Sequence, residues 1–188
     1  GGTTTYVWSN TGGVDIGLGS PGETITDSSS DISFTASNSS SVAISTQITV
    51  TPTFTNNGVS CTGTSQTFTI TVNPEPDINN VTETICNEGT FTTVLPSDGT
   101  NGDVVPTGTT YTWGNPVSSP SGVVTGGQSG TSQTSIVGTQ LFNGTSSPAT
   151  LTYTVTPTSA DGCIGDDFTI TITVNPTASM NDYSDLVV

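Results

Sequence analysis

The sequence predicts an all-β protein of tandem immunoglobulin-like β-sandwich domains, and three observations carry that expectation. Short runs alternate apolar residues with threonine or serine. Clusters of turn-forming residues separate those runs. The whole pattern then recurs at an interval of about one hundred residues, which is a domain repeat and far longer than a solenoid unit.

The runs are legible one by one along the chain. The first, "YVWSN" at Tyr6 to Asn10, carries Trp8, and "ITVTPTF" follows at Ile48 to Phe54. "FTITVNP" at Phe68 to Pro74 sets Phe68, Ile70 and Val72 against Thr69 and Thr71. Side chains of a strand point alternately to its two faces, so period two buries one face and leaves the other in water. Threonine suits the wet face because it is β-branched, favours extended backbone and is polar without charge. "INNVTETIC" at Ile78 to Cys86 and "TFTTVLP" at Thr90 to Pro96 open a second set, continued by "YTWGN" at Tyr111 to Asn115. "LTYTVTP" presents Leu151, Tyr153 and Val155 on one face, and "FTITITVNP" at Phe168 to Pro176 closes the set. Turn signals lie between the runs: "NNG" at Asn56, "SDGTNG" at Ser97, "GG" at Gly126, "NG" at Asn143 and "DG" at Asp161. No amphipathic helical pattern exceeds one turn. An aromatic on an early strand is the usual core pin of such a sandwich, which gives Trp8 and Trp113 that role in preference to a sugar-stacking one.

The repeat sets the domain boundaries. "YVWSN" matches "YTWGN" and "ITVTPTF" matches "YTVTPTS" at an offset of 105, whereas Cys61 and Pro74 match Cys163 and Pro176 at 102. A three-residue difference in loop length between Pro52 and Cys61 accounts for the change. Residues 1–74 therefore read as a sandwich lacking its first strands, and 75–176 as a complete one. Residues 177–188 read as the start of a following repeat or a tail. The joints "VNPEPD" and "VNPTAS" are short, and Pro76 stiffens the first by fixing its own φ and favouring extended neighbours. Stiff joints between sandwiches predict a rod.

Composition excludes whole classes of function. The 188 residues include no Lys, Arg or His and fifteen acids, for a net charge of −15. Nothing can neutralise phosphates, so nucleic acid is not a partner. Anionic membrane surfaces repel the chain, and no apolar run approaches the ~20 residues that span a bilayer. Without His or Lys, Ser-His and Ser-Lys nucleophiles cannot be built, and no cation can clamp phosphate. A carboxylate pair from Asp161, Asp166 and Asp167 in "DGCIGDD" is the one arrangement left for hydrolysis, and a solvated hairpin loop is the preferred explanation of those acids. No catalytic residue and no required cofactor are expected. Calcium is the candidate ion, because it takes carboxylate and carbonyl oxygens. Its candidate ligands are Asp98 and Asp103 with Asn101, then Asp161, Asp166 and Asp167, and Asp27 with Asp31; none has EF-hand spacing.

Three cysteines cannot all pair with one another. One arrangement joins Cys86 to Cys163 within the complete domain and leaves Cys61 to a partner outside the fragment. The other joins Cys61 to Cys86 and leaves Cys163 to a cysteine beyond Val188. The first keeps each domain stapled to itself and is the favoured expectation, adding ~2–4 kcal/mol to a thin-cored domain. Disulfides of this kind belong to an exported protein. Asn38, Asn80 and Asn143 stand in N-x-S/T triplets, which in so Thr-rich a chain arise by chance.

"YTW", "VTPT", "GC" before the last strand, "ICNEG" and the "TITVNP" ending together resemble the PKD-like repeats of giant Bacteroidota surface adhesins, of which the SprB-like gliding-motility adhesin is the best-known type. The resemblance spans nearly the whole chain. It implies type IX secretion, display at the outer-membrane surface and many tandem domains in a stalk. The expected function is therefore a non-enzymatic stalk segment of an adhesin or filament. Its partners would be neighbouring repeats, with surface glycans or abiotic surfaces as adhesive targets. The alternative is a carbohydrate-binding module or an accessory domain of a secreted hydrolase.

Overall fold

The computed structural model describes residues 1–18, 24–27 (backbone) and 32–178. Expectations that rest on Asp31, on the side chain of Asp27 or on residues 179–188 lie outside the described residues. The chain is all-β and divides into two compact units, Gly1–Glu75 and Pro76–Val188.

The first unit is built around one long strand. Its strands are β1 (Thr3–Asn10), β2 (Thr24–Asp27), β3 (Ile44–Asn56), β4 (Val59–Thr62) and β5 (Gln66–Val72), in one sheet ordered β2-β1-β3-β4, with β5 also on β3. β3 pairs antiparallel with β1 along one edge. On the other edge its N-terminal part pairs with β5 and its C-terminal part with β4. The β3–β4 hairpin turns on Asn57 (φ 49°) and Gly58 (φ 81°), the paired left-handed geometry that Asn-Gly favours. The core is small: Trp8, Ile16, Leu18 and Ile48 are buried, with Ile32, Phe34, Ile44, Ile70 and Val72 packed on them.

The second unit has β6 (Val81–Cys86), β7 (Thr110–Trp113), β8 (Val117–Ser119), β9 (Val124–Thr125), β10 (Gly130–Gln133), β11 (Phe142–Asn143), β12 (Ala149–Thr158) and β13 (Phe168–Asn175). Its main sheet runs β10-β7-β12-β13-β6, with β8 also on β12, and β9 and β11 form a separate pair. β12 and β13 alternate buried and half-exposed residues along their lengths. Their inner face, Leu151, Tyr153, Val155, Phe168, Ile170, Ile172 and Val174, packs in one core with Phe91, Val124, Ile136 and Leu141 from the opposite layer. β6 lies parallel to β13, which no local pattern announces.

Three expectations change at this level, the first being the run "TFTTVLP" at Thr90 to Pro96, which makes isolated bridges at Thr90 and Val94 in place of a strand. Period two in "FTITVNP" implies one buried face, yet Phe68 is 40% exposed, and Ile70 and Val72 are only half-buried. The reason is the neighbour: among the described residues β5 pairs only with β3, whereas β13 is flanked by both β12 and β6. The paired cysteines are the third change, described below. Trp8 and Trp113 are each 8% exposed.

Candidate functional site

The predicted acids sit on loops, and two of them, Asp98 and Asp103, hold backbone in place. Oδ1 of Asp98 accepts from the Val105 N–H at 3.0 Å. Asp103 is buried, and its Oδ1 accepts from the Asn79 backbone N–H at 2.9 Å and from Asn79 Nδ2 at 3.1 Å. Asn101 supplies a carbonyl to the same Asn79 amide. Asp167 accepts from the Thr156 hydroxyl, while Asp161 and Asp166 are exposed beside the β12–β13 loop. Among the described residues no three of His, Cys, Asp and Glu converge as a metal-ligand set. Asp103 also acts on a neighbour: burial first, and then its negative charge, push the Tyr111 hydroxyl up to about 12.

The fold does not bring Cys86 and Cys163 together. Cys86 ends β6 opposite Asn175, at the C-terminal end of β13. Cys163 lies in the loop that precedes Phe168, at the other end of that strand, with its N–H on Ser159 Oγ. The eight residues of β13 separate the two ends by about 23 Å at ~3.3 Å per residue. A disulfide requires Cα atoms within about 7 Å. Cys61, Cys86 and Cys163 are all free thiols, and the expected self-staple of the second unit is corrected accordingly.

The N-x-S/T triplets, set aside in the sequence as chance, turn out to be structural pins. Asn143 is buried and donates through Nδ2 to the carbonyls of Ser147 and Val174, both at 2.8 Å. Its Oδ1 accepts from the N–H and hydroxyl of Thr145. Asn38 repeats the arrangement in the first unit, with Nδ2 on Val42 and Val72 and Oδ1 on the N–H and hydroxyl of Ser40. Each asparagine thus ties a loop to the last strand of its sheet, and the residue two positions on must carry a hydroxyl. Asn80 accepts from the Thr169 N–H at 2.7 Å. The signal that could have exposed the motif was the 105-residue offset between Asn38 and Asn143.

The "ICNEG" stretch has a similar explanation. Glu88 takes a left-handed φ of 65°, and the Gly89 N–H closes a turn onto the Cys86 carbonyl at 2.9 Å. A Cβ on Gly89 would lie 2.7 Å from that same carbonyl. Asn87 then accepts from the Asn143 N–H at 2.6 Å, coupling this turn to the pin.

A cleft of about 330 Å³ opens between β7, β10 and β12, bordered by Trp113, Gln128, Gln133, Val137, Thr139 and Tyr153. Tyr153 is 2% exposed, and Trp113 donates from Nε1 to the Gln128 carbonyl at 2.8 Å. The backbone at Gly127 and Gly130 lies hard against these side chains. A Cβ on Gly130 would sit 2.4 Å from Trp113 Cζ2, and one on Gly127 would sit 2.9 Å from the Tyr153 hydroxyl. β10 is bulged between Gly130 and Gln133, with Ser132 at φ 50°. The Tyr153 hydroxyl and Thr139 Oγ1 are buried near each other, yet neither has a hydrogen-bond partner of good geometry among the described residues. Burial raises the Tyr153 phenol above its ordinary range, with the Thr139 hydroxyl opposing that shift.

A family model described as a PKD-like domain matches the chain twice, over residues 2–76 and 83–178. Among curated proteins none matches the chain.

Proposed function

The chain belongs to the PKD-like domain family, and we propose that it is a non-enzymatic repeat segment of a secreted bacterial cell-surface adhesin or filament, serving adhesion and gliding motility by spacing and extension. The observation that carries this reading is the recurrence of one PKD-like β-sandwich within a chain that has no Lys, Arg or His. Like-charged domains repel one another and resist cross-association, which a chain of similar modules needs. Acids and prolines then guard the sheet edges where lysine usually would.

The loops support the same reading. Asp98, Asp103 and Asp167 are occupied with backbone and hydroxyl groups of their own unit. Side chains so engaged serve loop order, and no imidazole or amine side chain exists in the chain to activate a nucleophile beside them. The reading calls for no cofactor. It includes export by the type IX route, a place at the outer-membrane surface and further repeats as neighbours.

The test is surface labelling. An antiserum against the 188-residue chain should stain intact cells of the source organism, and the full gene should encode further modules of about one hundred residues. Staining only after lysis, or a catalytic domain joined directly to these two modules, would overturn the proposal.

A further inference from the structure

Three hollows in the surface invite comparison. One lies beside Asn143 and one beside Asn38, and in both the asparagine amide is fully engaged within the unit. Those two recur with the repeat and belong to the pin. The cleft over Tyr153 stands apart.

We propose that this cleft binds one neutral sugar residue, seated over the Tyr153 hydroxyl and held at its rim by Gln128, Gln133 and Thr139. The internal repeat supplies the first argument. Tyr153 occupies the register that Ile48 fills in the first unit, where each pairs with the matching residue of the last strand. Ile48 is wholly buried and serves that core with no polar atom. The sheet therefore has no need of a hydroxyl at this place, and a buried one without a partner is unfavourable. Its position at the base of an open cleft makes it a group that a ligand can satisfy.

The lining decides the chemistry. Amides and hydroxyls supply both donors and acceptors, and no charged side chain borders the cleft. No cation exists in the chain to pair with an anionic ligand, and a net charge of −15 repels one. A bound cation would need carboxylates, and the lining has none. What fits is an uncharged molecule dense in hydroxyl groups with an apolar edge for the aromatic floor. A volume of about 330 Å³ stands at the lower limit of the ~300–1,000 Å³ typical of small-ligand pockets, which suits one ring. The bulge in β10 and the glycines that let backbone lie against Trp113 and Tyr153 shape the cleft at some expense to sheet regularity. Bulges gather at such sites. This inference stands independently of the stalk reading, since a sugar site is compatible with either a stalk or an accessory module.

The experiment titrates the isotopically labelled 188-residue chain with glucose, galactose, mannose, xylose, N-acetylglucosamine and cellobiose, following amide and indole resonances. At least one should give saturable shifts centred on the Trp113 indole and residues 128–139. Tyr153→Phe should weaken that binding at least tenfold. In sugar-free buffer the same variant should melt no lower than the parent, because it deletes an unpartnered hydroxyl. Gln133→Ala, an exposed rim change, should weaken binding about tenfold without altering the fold. It decides the question if the tyrosine variant fails to fold. No saturable shift with any of these sugars overturns the proposal and leaves a water-filled hollow. Shifts confined to other surfaces, or unchanged binding in both variants, overturn it equally.

Discussion

Phe68 and Ile170 hold equivalent places in the two units and meet opposite fates. Each stands across from the matching residue of the central strand, Ile48 for Phe68 and Tyr153 for Ile170. Phe68 is 40% exposed and Ile170 is fully buried. The strands carrying them have the same alternation of apolar residues and threonine. They differ in their neighbours, because β13 has β6 along its second edge and a layer containing Phe91, Ile136 and Leu141 above it. The amphipathic pattern makes a strand, and covering that strand is the work of distant segments.

The first unit compensates on its wet face. Hydroxyl pairs join neighbouring strands or their flanking loops there: Ser45 with Thr71, Thr49 with Thr67, Thr11 with Thr49, Thr51 with Ser65 and Thr55 with Ser60, at 2.8 to 3.2 Å. Such exposed cross-strand pairs contribute a few tenths of a kcal/mol each. The second unit relies instead on fifteen buried core residues. One position shows the exchange directly. Thr46 is buried and donates to Asn10 Oδ1 at 2.6 Å, while its counterpart in the repeat, Leu151, is an apolar core residue.

The sharpest way to break this comparison is to truncate the paired positions. Ile170→Ala should destabilise the second unit by about 2–5 kcal/mol, and Phe68→Ala should cost the first about 1–2 kcal/mol. Each unit has one tryptophan, so urea unfolding followed by fluorescence in Trp8→Phe and Trp113→Phe backgrounds reads the units separately. Equal losses would show that β5 is covered as well as β13.

The asparagine pins come next. Asn143→Ala removes two donated and two accepted bonds in a buried setting and should cost about 2–3 kcal/mol. Asn38→Ala, in a more open place, should cost about 1 kcal/mol by the same assay. Exchange of the Val174 carbonyl partner for water would leave both variants equally mild and refute the buried-pin account.

The smallest expected effect is alkaline. In the folded unit the Tyr111 phenol stays protonated to about pH 12, against an ordinary value of 10.0. Its contribution is complete below pH 10. Between pH 10 and 12 the unfolded chain releases the proton and the folded chain keeps it, so stability of the second unit falls through that window. Tyr153 shifts in the same direction through burial. No lysine titrates there to obscure the effect. Urea midpoints measured from pH 9 to pH 12 should decline for the parent and decline less steeply in Tyr111→Phe, where Tyr153 keeps a raised phenol.

Much of the fold was legible in local sequence. The runs at Tyr6, Ile48, Phe68, Val81, Tyr111, Leu151 and Phe168 all became strands, because side-chain alternation is a property of adjacent residues. The doubled pattern gave the register of the repeat. The site was far less legible. Tyr153 reads as one more apolar residue in "LTYTVTP", and only its alignment with Ile48 marks its hydroxyl as surplus. Asn38 and Asn143 read as incidental, because their partners Val72 and Val174 lie more than thirty residues away.

The sequence by itself determined that this protein is a chain of alternating strands, repeated and without positive charge, since periodicity and composition need no partner to take effect. Tertiary structure alone decided which faces are dry, that Cys86 and Cys163 stand at opposite ends of β13, and that a phenol ends in a cleft. The physical reason is that burial and proximity arise from pairings between distant segments. The parallel contact of β6 with β13 joins residues almost ninety positions apart, and no local rhythm encodes it.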